Sequence, residues 1–521
     1  MSLISMKFLL FVLIAVIGYY SIPKKFQWVW LLILSYIYYA SSGIKIVFFI
    51  LFSTITTYTA GILLHKISTC HAENQDTNRS FRKQQIISQK RLIVVTTLIL
   101  NFGMLGILKY TNFVIDIFNH ISGNQITFFN FLLPLGISFY TFQSMGYLLD
   151  VYWERYKPEF NFFRFALFVS FFPQILQGPI SRFDHLAHQL FEQHTFNWAQ
   201  AEVAVQRILW GFFKKMVLAD NAAMFVDGIF NRYQEFPGLS IIAVLGYSIQ
   251  LYGDFSGGID VVIGIAGLFG ITLKENFKQP FFARSISDFW HRWHITLGTW
   301  MKDYIFYPIS LSKGMSRFGK FAKKTFGKKV GRTLPICAAN IVVFLVVGIW
   351  HGAAWKFIIY GLYNGLIIAF SGLMAANYQK WKKACHINDK SKLWIVFQIV
   401  RTFILVNISW FFDRADSVRQ ALIMMKNAVT HFEITSLLNG SILETGKSVQ
   451  NFSIIILIIL LFGCAIVFMV SFIQENKIAV QQVLISRPVM IRWAVYLMLL
   501  FALPILGQPP TSSGGFIYAQ F

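Results

Sequence analysis

The stretch IVVFLVVGIWHGAAWKFIIYGLYNGLIIAF, residues 341–370, is almost wholly apolar around His351. It belongs to two longer apolar runs, 334–350 and 355–377, joined by Trp350-His351-Gly352-Ala353-Ala354-Trp355. The chain just before them, LSKGMSRFGKFAKKTFGKKVGRT (311–333), carries eight Lys or Arg and no acid. The chain just after, KWKKACHINDKSK (380–392), is also basic. Basic loops of membrane proteins stay in the cytoplasm. The chain between them therefore enters the membrane and returns, which predicts a helical hairpin with His351 at its turn. At 1.5 Å per residue, about 17 residues lift His351 roughly 25 Å from the cytoplasmic surface.

The rest of the chain follows the same pattern. Of 521 residues, 56% are hydrophobic and only 13% are charged. Soluble proteins carry about twice that charged fraction. Apolar runs fall near 4–21, 27–42, 44–64, 92–118, 131–150, 161–178, 203–218, 239–252, 257–271, 334–350, 355–377, 393–412, 453–472 and 490–506. Many approach the roughly 18 residues that a crossing needs. The reading is an all-α polytopic membrane protein with about 11–13 transmembrane helices, plus re-entrant or partial helices where a run is short. It forms one integral-membrane domain over 1–521, with a motif-bearing core at about 131–377 and C-terminal helices over 378–521. The opening MSLISMKFLLFVLIAVIGYY lacks a clear small-residue cleavage site and reads as a retained first helix.

The net charge of +23 does not point to nucleic acid, because the basic residues cluster in short loops between apolar runs. Lys24, Lys25 and the loop 65–91 place the N-terminus outside, with Lys7 as a mild objection. Cys70, Cys337, Cys385 and Cys464 show neither CxxC pairing nor metal spacing, and read as small apolar residues.

Ionisable groups in such a chain need a partner or a role. The stretch DFWHRWHITLGTW (288–300) concentrates them. Ser285-x-x-Asp288 resembles a capping box and predicts a helix start. Asp288 and Arg292 are four apart and share a face, and on one continuous helix His291 and His294, three apart, are neighbours too. Trp290, Trp293 and Trp300 suit either a membrane interface or a tunnel wall. Zinc is disfavoured, because HRWH lacks the H-E-x-x-H spacing and a third ligand. His351 reads either as a packed histidine or as a neutral imidazole able to accept a hydroxyl proton. FFPQILQGPISRF (171–183) reads as a broken helix around Gln174 and Gln177. Asp254, Ser256 and Asp260 interrupt two apolar runs, and Glu275 and Asn276 precede the histidine helix. Ser256 sits in D-F-S-G-G, not G-x-S-x-G, and is not read as a nucleophile.

With these motifs assembled, the sequence resembles the membrane-bound O-acyltransferase family, and within it the bacterial alginate O-acetyltransferase-like branch. The likeness rests on LPLGISFYTFQSMGYLLDVY (133–152), FFPQILQGPISRF (171–183), YGDFSGGIDVVIGIAGLFGI (252–271), ENFKQPFFARSISDFWHRWHITLGTWMKDYIFYPI (275–309), GIWHGAAWKFIIYGLYNG (348–365) and the closing GFIYAQF. It implies a curved helical bundle around a tunnel. It implies two functional histidines, His294 and His351, with His351 at the position regarded as catalytic; His291 falls on a variable position and takes no role. Trp293, Asp288, Arg292, Asn276 and Trp350 are then expected to line the tunnel or position the pair. No bound cofactor or metal is expected.

The resemblance further implies a cell-membrane enzyme that moves an acetyl group from cytoplasmic acetyl-CoA, or another acyl thioester, to an exported polysaccharide. The expected partners are an extracytoplasmic SGNH-hydrolase-like protein, the polysaccharide synthesis and export machinery, and the lipid bilayer. Two alternatives remain at this point: D-alanyl transfer to teichoic acid by the same histidine pair, and a polysaccharide exporter or flippase component.

Overall fold

The computed structural model describes residues 3–72, 79–432 and 453–508. The closing GFIYAQF and the side chain of Cys70 lie outside the described residues. The chain divides into two compact units. One holds Met1–Ile208 and Gly258–Lys274; the other holds Leu209–Gly257 and the chain from Glu275.

The first unit contains α1 (Met6–Ser21), α2 (Gln27–Ala40), α3 (Val47–Ala72), α4 (Arg79–Ser122), α5 (Ile137–Tyr152), α6 (Phe162–Ser170), α7 (Phe183–Phe191) and most of α8 (Trp198–Phe212). Ser5 caps α1 by accepting from Phe8 N, and Asn161 caps α6 by accepting from Phe163 N and Arg164 N. Such caps satisfy amides that the helix start leaves without an intrahelical partner. The expected break at 171–182 is present between α6 and α7, and Ser35 Oγ accepts the Phe172 amide there at 3.1 Å.

The second unit continues through a π-helix (Phe213–Ala219) to α9 (Asp220–Asn231) and the first half of α10 (Ser240–Leu268). It then holds α11 (Ile286–Arg292), α12 (Ile295–Met301), α13 (Tyr307–Ser310), α14 (Lys313–His351), α15 (Trp355–Ala384), α16 (Lys392–Arg414), α17 (Val418–Thr430), α18 (Ile454–Glu475), α19 (Val480–Ile485) and α20 (Val489–Leu506).

Among the described residues, eight helices are long and apolar enough to cross a membrane: those at Ile44–Thr69, Gln84–Ser122, Pro237–Leu268, Lys313–His351, Trp355–Ala384, Lys392–Arg414, Ile454–Glu475 and Val489–Leu506. The fourteen apolar runs give fewer long helices than crossings expected from sequence, for two reasons. Several runs form shorter helices, of 16 residues in α1 and α5 and 9 in α6. Two others fuse.

That fusion corrects one expectation. Asp254, Ser256 and Asp260 do not interrupt the chain; α10 runs straight through them. Each meets a partner from the helix before it. Lys215 Nζ donates to Asp254 at 2.6 Å and also contacts Asp220 at 2.8 Å. Lys214 Nζ donates to Ser256 Oγ at 2.8 Å, and Arg207 pairs with Asp260 at 2.9 Å. A buried charge that is paired and hydrogen-bonded is tolerated where an isolated one is not, so the helix need not open to water.

The predicted hairpin is α14 and α15. Gly327, at φ 82, kinks α14 between its basic first turns and its apolar remainder. Beyond the kink, small residues set the spacing. A Cβ on Gly348 would strike Phe357 O, and one on Gly361 would strike Phe344 O. Farther along, Cys337 Sγ donates to Ala369 O at 3.2 Å. Small residues let helices in a bilayer approach closely, and packing there replaces the hydrophobic drive that lipid removes. Gly348→Val and Gly361→Val should each destabilise the folded protein by about 1–3 kcal/mol or more through overpacking. Thermal unfolding in detergent checks this; a wild-type midpoint in both variants would contradict the close packing.

Candidate active site

The site lies within the second unit and is built from a strained turn and a hairpin tip. Ser285 accepts the Asp288 amide at 3.1 Å and starts α11, as the capping box predicts. Asp288 Oδ2 accepts the Arg284 amide instead of the cap residue's own. Asp288 and Arg292 pair at 2.9 Å across one turn. Arg292 also donates to both carboxylate oxygens of Glu475, at 2.7 and 3.2 Å, which fastens α11 to the end of α18. Glu475 is a partner that spacing could not supply, since it lies 183 residues away.

Helix α11 stops at Arg292, and this corrects the second expectation. Trp293 is extended (φ −111, ψ 127), and His294 takes a left-handed conformation (φ 47, ψ 52) before α12 begins. His291 and His294 are therefore not neighbours on one helical face. His291 is exposed and bonds Ser287 O through Nδ1 at 2.6 Å; His294 is buried. Left-handed backbone is costly for a side-chain-bearing residue, so other groups must hold it. Trp293 forms an isolated antiparallel bridge with Phe277. The Lys278 amide donates to Arg292 O at 2.9 Å, and the Ile295 amide to Asn276 O at 3.0 Å. Asn276 Oδ1 accepts both the amide and the hydroxyl of Thr296 at 2.9 Å, and lies 3.4 Å from His294 Nδ1. Asn276 thus acts as the cap of α12 from outside the helix.

This turn carries His294 into an aromatic cluster. Its ring stands edge-on to Phe255, centroids 4.8 Å apart, and 5.6 Å from Trp350. Trp350 in turn lies 5.2 Å from His351, so one indole joins the two imidazoles. Trp293, 2% exposed, stacks at 5.4 Å on Phe289 and meets Phe277 at 5.0 Å. Burial first, and His351 second, hold the His294 imidazole down to about 3, so it is neutral at physiological pH. A cavity of about 350 Å³ includes Trp290, His294, Thr299, Lys302, Asn340 and Val347 in its wall. His351 is not on that wall.

His351 closes α14 and is 2% exposed. Tyr360 and Phe357 flank its ring at 5.1 and 6.1 Å. Its Nδ1 lies 3.6 Å from Asp413 Oδ1, with both side chains 2% exposed. The other carboxylate oxygen accepts Tyr247 O–H at 2.8 Å. Lys356 Nζ donates to the main-chain carbonyls of Asp413 and Ala415, at 3.2 and 2.6 Å, and ties the end of α16 to the start of α15.

Of the residues singled out from sequence, His294, His351, Trp293, Trp350 and Asn276 come together here. Asp288 and Arg292 stand at the base of α11 and orient it. Asp413 and Tyr247 were not singled out. The one available signal was an aspartate closing the apolar run 393–412. Among the described residues, no group of three His, Cys, Asp or Glu could hold a metal ion.

A polytopic helical bundle with two buried imidazoles, one at a hairpin tip beside a carboxylate, defines the class: an integral-membrane acyltransferase. The chain belongs to the membrane-bound O-acyltransferase family, whose model matches residues 154–412. It is 31% identical over 437 residues to the peptidoglycan O-acetyltransferase of Helicobacter pylori, covering 79% of this chain and 75% of that one. It is 30% identical over 514 residues, 96% of each chain, to a Pseudomonas putida protein named "Probable alginate O-acetylase AlgI". It is 28% identical over 285 residues to the teichoic acid D-alanyltransferase of Bacillus subtilis, covering 53% of this chain and 67% of that one.

Replacing Asn276 by Ala removes the cap of α12 and one support of the His294 turn. It should cost about 1–2 kcal/mol, the usual loss for a cap, and lower the thermal midpoint by several degrees. Asn276→Asp keeps the acceptor oxygen and should lose less. Equal midpoints for Asn276→Ala and wild type would contradict the capping role.

Proposed function

We propose that the protein transfers an acetyl group from a cytoplasmic acetyl thioester, acetyl-CoA by class, toward an exported polysaccharide, with an extracytoplasmic partner completing delivery. The observation that carries this reading is the buried His351–Asp413 pair at the hairpin tip. The two relatives named as O-acetyltransferase and O-acetylase, matched over most of their length, favour acetyl over D-alanyl transfer and polysaccharide over other acceptors.

The chemistry follows from the geometry. With Nδ1 facing the Asp413 carboxylate, the Nε2 lone pair of neutral His351 is the one left to take a proton. An acceptor hydroxyl attacks the thioester carbonyl carbon as His351 removes its proton. The tetrahedral intermediate collapses, the C–S bond breaks, and the proton passes to the leaving thiolate. Acetyl ends on oxygen, the thiol is released, and His351 is again neutral. At 3.6 Å the Asp413 carboxylate is a charge partner of the transient imidazolium more than a hydrogen-bond acceptor. Tyr247 fixes the carboxylate from its far oxygen. His294, uncharged and packed against Trp350, positions the thioester. Trp293 and Trp350 keep water from the reacting centre, where it would compete with the acceptor.

Membranes or liposomes holding the protein, its partner and labelled acetyl-CoA test the reading. His351→Ala should lower transfer at least about 10²–10⁴-fold, the range for a general base, with insertion unchanged. Asp413→Asn should lower kcat about 10-fold or more while leaving KM near wild type, because it acts on the charged state that forms during reaction. Transfer at the wild-type rate in His351→Ala removes the base assignment. Polymer movement without transfer supports an exporter instead.

A further inference from the structure

Within the first unit, the break between α6 and α7 gathers several buried polar side chains, and most of them satisfy one another. Gln143 Nε2 donates to Phe168 O at 2.7 Å. Gln174 Nε2 donates to Gln143 Oε1 at 3.2 Å, and Ser181 Oγ donates to Gln174 Oε1 at 2.9 Å. This chain of bonds gives the broken backbone its support.

Gln177, in the same break, is different. It is 0% exposed, yet neither its Oε1 nor its Nε2 meets a hydrogen-bond partner among the described residues. The amide is laid against α10 at Gly258. A Cβ at that position would stand 2.7 Å from the amide carbon, nitrogen and oxygen alike. The glycine therefore makes the recess in which the amide lies. Gly258 is three positions along α10 from Phe255, the ring that meets His294 edge-on.

A buried amide without partners is a cost that an apolar side chain of the same shape would avoid. A structural role does not account for it, since Gln174 and Gln143 already close the network. The ion pair on the same helices, Arg207 with Asp260 at 2.9 Å, balances its own charge. A charged ligand would thus find no counter-charge in that pair, whereas a neutral one would find both a donor and an acceptor on Gln177.

We infer that Gln177, seated on Gly258, is a substrate subsite that takes a neutral group bearing both a hydrogen-bond donor and an acceptor. This rests on the acyl-transfer reading. Two substrates supply such chemistry: the thioester donor through the amides of its pantetheine arm, and the acceptor through its hydroxyls.

Steady-state kinetics on the full-length membrane protein with its partner separate the two. The probes are acetyl-CoA and an alginate or peptidoglycan oligosaccharide, whichever the wild type acetylates. Gln177→Leu should leave the thermal midpoint at or above wild type while raising one KM by about tenfold, as expected for losing one or two hydrogen bonds. A rise for acetyl-CoA assigns the donor amide; a rise for the oligosaccharide assigns an acceptor hydroxyl. Gly258→Ala, whose methyl displaces the amide, should raise the same KM. Wild-type KM values for both substrates in Gln177→Leu overturn the subsite even if kcat falls, and leave the role of His351 standing. A wild-type protein that transfers no acetyl group overturns the acyl-transfer reading and this subsite together.

Discussion

The second unit is organised around one constraint: an imidazole and a carboxylate, each 2% exposed, face each other at 3.6 Å beneath a helical hairpin tip. Neither group can be left alone in such surroundings. Removing one partner of a buried pair typically costs about 3–5 kcal/mol, because the other charge remains. The pair therefore dictates which elements must meet. The hairpin needs glycine contacts so that α14 and α15 approach closely enough to present His351. The end of α16 must reach the tip, and Lys356 fastens it there through two main-chain carbonyls. Tyr247 brings α10 to the far oxygen of Asp413. The strained turn at His294 is then worth its conformational cost, since it sets a second imidazole against Trp350.

The same economy of charge runs through the rest of the protein. Burial of Lys214, Lys215, Asp254 and Asp260 would open a helix if they stood singly. Paired across α8, the π-helix and α10, they let one long helix continue through polar residues. The π-helix contributes by shifting the register, so that the adjacent residues Lys214 and Lys215 both turn inward, each 4–5% exposed. π-turns of this kind often mark functional positions.

Much of this was legible in the sequence, and for identifiable reasons. Hydropathy and basic loops placed the hairpin and the position of His351 on it, because helix length and the positive-inside bias are local properties. The capping box at Ser285 and the Asp288–Arg292 pair were legible from spacing of three and four. What spacing could not show was where a helix stops for a tertiary reason. DFWHRWH reads as one helical face, yet the turn at Trp293 and His294 is imposed by Asn276 and Phe277 from the preceding extended segment. Asp254, Ser256 and Asp260 suggested an interruption because their cations lie some 40 to 50 residues earlier in the chain. Asp413 and Glu475 were missed for the same reason: their partners are 62 and 183 residues distant.

Active-site-directed labelling tests the central claim most directly. A bromoacetyl thioester analogue of the donor carries its electrophilic carbon beside the carbonyl that a base-assisted hydroxyl would attack. Incubated with the intact membrane protein and read by peptide mass spectrometry, it should leave one adduct, on His351, in step with loss of acyl transfer. Excess acetyl-CoA should protect against it. An inactivating adduct on any other side chain, with His351 unmodified, would contradict the account.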